Sequence, residues 1–89
     1  MPSRPARARP PSKARLVFAA NVKNARREQD LLQKDLHERT GLSLAYLSDV
    51  ERGKANISID NADLIARALG RPLHQLLNPC QQQLQTDPP

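Results

Sequence analysis

Residues 12–71 contain no proline, although Pro2, Pro5, Pro10 and Pro11 crowd the stretch before them and Pro72, Pro79, Pro88 and Pro89 lie beyond. A proline inside a helix removes a backbone hydrogen bond and clashes with the preceding turn, so this window is where a helical fold has room to form. Within it, apolar residues recur every three or four positions rather than every second one. Gly41, Gly53 and Gly70 punctuate the window, each at a place suited to the left-handed residue that follows a helix end. The expectation is an all-α domain over residues 16–79, between a Pro/Arg-rich arm at 1–15 and a Gln-rich tail at 80–89.

Five helices can be separated. The first runs from about Leu16 to Gln29, with Phe18, Val22 and Ala25 on one face and Leu31 packing from the turn behind it. The second covers about Gln33 to Thr40, with Leu36 pointing inward. Ser43 is a good N-cap for the third, which continues to about Arg52. The fourth is capped by Ser58, carries the stripe Ile59, Ala62, Ile65, Ala66 and Leu69, and closes at Gly70. Pro72 suits the first turn of a fifth, short helix in which Leu73, Leu76 and Leu77 face one way until Asn78-Pro79 ends it.

Charge is distributed unevenly along the chain. Fourteen Lys and Arg oppose nine Asp and Glu, a net of +5. The arm holds Arg4, Arg7, Arg9, Lys13 and Arg15 without an acid, and removing these leaves residues 16–89 balanced. With almost nothing apolar to bury, the arm cannot recover the entropy that ordering would cost, so it is expected to be a disordered cationic segment. Such a segment lies along phosphates or enters a minor groove, or it serves only as a solubilising extension.

A helix, a turn at Gly41, a second helix and then Glu51-Arg52-Gly53-Lys54 make an arrangement in which one helix rests on a DNA backbone while the next enters the major groove. The segments Gln33-Lys34-Asp35-Leu36, Thr40-Gly41-Leu42-Ser43, Tyr46-Leu47-Ser48, Val50-Glu51-Arg52-Gly53-Lys54 and Ile65-Ala66-Arg67-Ala68-Leu69-Gly70 together resemble the Cro/cI-type, or XRE, helix-turn-helix family over about residues 18–77. The resemblance implies a compact five-helix, lambda-repressor-like DNA-binding domain whose recognition helix starts at Ser43. It also implies a homodimer acting as a repressor or autoregulator on double-stranded DNA in the cytoplasm. Arg26 and Glu51 match family positions that pair internally, and Gln33 matches a glutamine that fixes the DNA backbone. In this sequence the Ser or Thr that commonly precedes that glutamine is Leu32.

At about 100° per residue, Ser43, Tyr46, Leu47, Val50 and Glu51 gather on the side of the third helix that faces the domain. Ala45, Ser48, Asp49 and Arg52 point away, with Leu44 on the flank. Leu44 and Ala45 suit thymine methyls, Ser48 can donate or accept, and Asp49 can accept from a cytosine amino group. Arg52, at the far end, suits a phosphate, as do Gln33 and Ser43 at helix starts and Lys54 and Asn56 in the loop after Gly53. Leu73, Leu76 and Leu77 serve the monomer core, a two-fold interface, or both.

Other classes find little support. No stretch of 18 apolar residues exists to span a membrane, and the basic N-terminus is followed by no apolar signal core. Cys80, the one cysteine, can form no intramolecular disulfide and cannot hold a structural zinc alone. His37 and His74 form no ligand-spaced set with it and no nucleophile arrangement, and the three glycines follow helices rather than cradle a phosphate. No enzyme, cofactor or metal is expected. With only Phe18 and Tyr46 as aromatics, a base-stacking RNA platform is disfavoured. The competing class is a protein-interaction subunit, such as the antitoxin of a toxin–antitoxin pair that binds its own promoter through the same domain.

Overall fold

Ser12 starts the fold. In the computed structural model, which describes residues 10–79, its hydroxyl accepts the Arg15 N–H at 3.0 Å and caps α1, Lys13–Glu28. The helix therefore begins three residues before the expected Leu16, and Lys13 and Arg15 belong to the folded domain rather than to the arm. The reason is local: Ser12 is an N-cap residue, and Pro11 forces Pro10 before it out of the helical region. Arg4, Arg7, Arg9 and Cys80 lie outside the described residues.

Four more helices follow in chain order: α2, Gln33–Thr40; α3, Leu44–Glu51; α4, Ile59–Ala68; and α5, Leu73–Leu76. Ser43 accepts the Tyr46 N–H at 3.0 Å and Ser58 the Asn61 N–H at 3.0 Å; caps of this kind contribute about 1 kcal/mol each. At α2 the cap residue is Leu32, whose side chain has no acceptor, and Asp35 reaches back to take the Leu32 N–H at 2.7 Å, half of a capping box. Gly41, Gly53 and Gly70 all have positive φ, as their positions behind helices required.

The helix-turn-helix pair α2 and α3 is clasped from both sides: α1 packs on α3, α4 packs on α2, and α5 closes the gap between α1 and α4. Phe18, Val22, Ala25, Leu36, Leu47, Val50, Ala62, Ile65, Ala66, Leu69 and Leu76 form one core, and each large side chain in it contributes about 1.5–3 kcal/mol by leaving water. Leu31 packs against its edge. Two residues depart from the expected pattern. Ile59 has the right helical angle but lies in the first turn of α4, past the end of the core, and is 75% exposed. Leu76 is fully buried and so is removed from any surface available to a partner, whereas Leu77 beside it is exposed and Leu73 half-buried.

Polar contacts knit the ends of the domain together. Asn21 is buried among the apolar residues of α1 and donates to Leu76 O at 2.8 Å and Asn78 O at 3.3 Å. The C-terminus of α4 is met from two other elements: Arg39 donates to Ala68 O at 2.9 Å and Gln29 to Leu69 O at 2.8 Å. Arg71 reaches Glu28 at 2.9 Å. No helix among the described residues is long and apolar enough to cross a membrane.

Candidate nucleic-acid interface

The outward face of α3 is set by what its inner face is tied to. Leu47 and Val50 are in the core, and Glu51, buried to the same degree, meets Arg26 of α1 through two parallel bonds, Nε to Oε2 at 2.7 Å and Nη2 to Oε1 at 3.0 Å. The third nitrogen of Arg26 donates to Leu31 O at 2.8 Å. The bond to Glu51 raises the Arg26 pKa above its ordinary range; burial opposes this, and the charge of Glu51 assists it. A two-pronged pair of this kind fixes the rotation of α3 about its own axis as well as its distance from α1.

With α3 so fixed, Leu44, Ala45 and Arg52 are exposed and Ser48 and Asp49 half-exposed, so the face read from the sequence is the face presented. Tyr46 turns inward and accepts a hydrogen bond from Asn61 Nδ2 of α4 at 3.2 Å. Asp49 and Arg52 are joined by an ion pair, Oδ1 to Nη2 at 3.2 Å, with both side chains about half exposed. Arg52, expected to contact a phosphate, thus has a counter-ion one turn back on α3.

Gln33 also has a second occupation. It stands at the first position of α2 and donates from Nε2 to Glu51 Oε1 at 3.1 Å, the oxygen that Arg26 Nη2 already holds. Its amide therefore joins the start of α2 to the end of α3, and no spacing rule indicated this. Ser43, expected on the side facing the domain, is exposed instead, because as the N-cap it has extended backbone and lies outside the helical wheel; its Oγ accepts from Tyr46 N and still has its own proton to give.

The loop after α3 is drawn onto that helix by Asp49 O, which accepts from Lys54 N at 2.8 Å and Ala55 N at 3.3 Å. Lys54 and Asn56 are exposed there. Arg15, moved from the expected arm into α1, reaches the same loop and donates from Nη1 to Gly53 O at 3.5 Å, which sets its charge next to Lys54.

His37, which the sequence placed in no ligand or nucleophile set, staples the turn of the helix-turn-helix: its Nδ1 donates to Leu42 O at 2.7 Å. The carbonyl can only accept, so the bond puts a proton on Nδ1. Thr40 works beside it, donating to Leu36 O at 2.7 Å and accepting from Leu42 N at 3.1 Å. For Thr40 the signal was its place at the end of α2, one turn after Leu36 and two residues before the Leu42 amide.

Comparison with known proteins places this geometry. A helix-turn-helix family model matches residues 22–76. A hypothetical transcription factor of Neisseria meningitidis serogroup B is 39% identical over 70 residues, which are 79% of this chain and 66% of that protein, just under two thirds of its length. The crystal structure of the hypothetical transcription factor NHTF from Neisseria superposes with a TM-score of 0.75 at 32% identity, covering 98% of this chain and 97% of that one. The restriction-modification controller protein C.Esp1396I, solved as a tetramer on its natural 35-base-pair operator, superposes with a TM-score of 0.69 at 26% identity over 74% of this chain and 91% of that one.

Proposed function

This chain belongs to the helix-turn-helix family of the Cro/cI type, and from that premise we propose that it is a sequence-specific DNA-binding transcriptional regulator that works as a dimeric repressor or autoregulator. One observation carries the reading: the Arg26–Glu51 pair locks α3 so that Leu44, Ala45, Ser48 and Asp49 face solvent together.

In this reading α3 enters the major groove. Leu44 and Ala45 meet thymine methyls, Ser48 donates or accepts, and Asp49 takes a cytosine amino proton. The start of α2, with Gln33, and the hydroxyl of Ser43 rest on one phosphate strand. Lys54, Asn56 and Arg15 approach the other through the loop after Gly53, and the cations of residues 1–9 add attraction that is blind to sequence. Arg52 takes a phosphate at the far end of α3.

Two copies would meet through exposed Ile59 and Leu77 with half-buried Leu73, leaving Leu76 inside each protomer. An isologous contact of that kind sets two recognition helices about one helical turn of DNA apart, roughly 34–36 Å, and prescribes a near-palindromic operator. A bound dimer of this size covers a promoter and excludes other proteins from it, which is repression by occlusion in the cytoplasm, where the operator lies.

The test is selection from a random duplex library by the purified full-length chain at near-physiological salt, followed by sequencing. The reading predicts an enriched inverted repeat with half-sites one turn apart. Survivors sharing no sequence, with binding that disappears as salt rises, would overturn it.

A further inference from the structure

The carboxylate of Asp49 is in an unfavourable place. It lies in the last turn of α3, where the helix dipole opposes negative charge, and it is half exposed on the face presented to a polyanion. Its contribution to the fold is small. The loop is held by the Asp49 backbone carbonyl, and an exposed pair three residues apart, such as Asp49–Arg52, stabilises a protein little. The effect on the surface is large by contrast. Glu51 is neutralised inside by Arg26, so Asp49 and Arg52 are the two charges on the outer face of α3, and their pairing leaves that face without net charge.

We infer that Asp49 is a discrimination residue, a fixed counter-ion that withholds Arg52 from the phosphates of non-cognate DNA and releases it where a cytosine amino group is present to take over the carboxylate. This rests on the regulator reading above and deepens it. On a duplex that puts no base amino group opposite the carboxylate, Arg52 is the one protein side chain that donates to it, so the pair stays closed and one phosphate contact is lost. On a duplex with a cytosine in register, the amino group donates to Asp49, and Arg52 turns to the backbone. Contact with the correct base is thereby coupled to an electrostatic contact that carries no sequence information of its own, and the ratio of specific to non-specific binding rises.

The experiment compares the full-length wild type with Asp49→Ala, Arg52→Ala and the double variant. Binding is measured to the selected operator, to an unrelated duplex of equal length, and to operators in which each C·G pair in turn is changed to T·A. The wild type is assayed first: if it shows no preferred sequence, the regulator reading fails and this inference with it. Given a preferred sequence, Asp49→Ala is expected to bind the unrelated duplex about 3–10-fold more tightly, with a steeper salt dependence. It should also lose about tenfold discrimination at one C·G pair and not at the others. In the Arg52→Ala background the gain on unrelated DNA should vanish. If Asp49→Ala changes all duplexes by one factor, or its gain persists without Arg52, the inference is overturned. A thermal midpoint unchanged in Asp49→Ala accompanies the expected result, because a structural role would lower it.

Discussion

Leu16 Cδ2 lies 2.8 Å from where a Cβ on Gly53 would stand. Gly53 also has φ +74°, so an alanine there meets two obstacles, left-handed backbone and a neighbour that must yield. At Gly41 and Gly70 the angles are similar and nothing lies within 4 Å. Gly41→Ala and Gly70→Ala are expected to cost about 1 kcal/mol each and Gly53→Ala about 2 kcal/mol. Adding Leu16→Ala to Gly53→Ala should recover the steric part and leave the backbone part, and urea unfolding of the four variants measures both.

Arg26→Ala leaves the nearly buried carboxylate of Glu51 with Gln33 alone and is expected to cost about 3 kcal/mol. Replacing both partners, Arg26→Met with Glu51→Met, should recover more than half of that, since an apolar pair leaves no buried charge. The sign of the pH dependence follows from the raised pKa of Arg26. A group raised on folding contributes its full stabilisation below its ordinary range and loses it only as pH climbs through the folded value. The difference in unfolding free energy between wild type and Arg26→Ala should therefore not shrink from about pH 7 to pH 9, as denaturant titrations across that window would record.

Asn21→Ala strands the carbonyl of Leu76 in a dry setting and is expected to cost about 1–3 kcal/mol. Asn21→Asp should cost more, because a carboxylate facing two carbonyl oxygens has nothing to donate. In both variants amide exchange should rise first at residues 73–78, before global unfolding, because α5 is the element released.

On DNA the two classes of contact separate. Lys54→Ala should weaken all duplexes alike and lower the salt slope by about one, whereas Ser48→Ala or Ala45→Lys should alter which duplex is preferred. Removing residues 1–9 tests the arm without cutting into α1, which Ser12 caps. With Arg4, Arg7 and Arg9 gone, the slope should fall by at most about 2.7 if all three reach phosphates. A changed preference at a flanking A·T tract would instead show readout in the minor groove.

Much of this architecture is written in local chemistry. Ser43, Ser58 and the three glycines mark helix ends because capping and positive φ depend on residues within a turn of one another, and the inward side of α3 follows from a wheel of eight residues. Distances along the chain hide the rest. Asn21 falls on the same stripe as Phe18, Val22 and Ala25, so a polar residue in an apolar row was visible, but its partners at Leu76 and Asn78 are 55 and 57 positions away. Helical angle gives a face and not an end, which is why Ile59 matched the stripe yet lies outside the core. A helix of four residues has too little periodicity to separate Leu76 from Leu77. Gln33 was legible as a helix start facing a backbone, while its bond to Glu51 depends on how α2 and α3 cross.

The bond from Asn21 to Leu76 O gives the domain a chemical border as well as a sequence one. The stretch shared with the family begins one residue after Asn21 and stops at Leu76, so a fragment cut to that stretch would lose the donor and expose the acceptor in the same stroke. A fragment that keeps the Ser12 cap and both Asn21 bonds therefore runs at least from Ser12 to Asn78, and anything fused behind it should be attached after that residue.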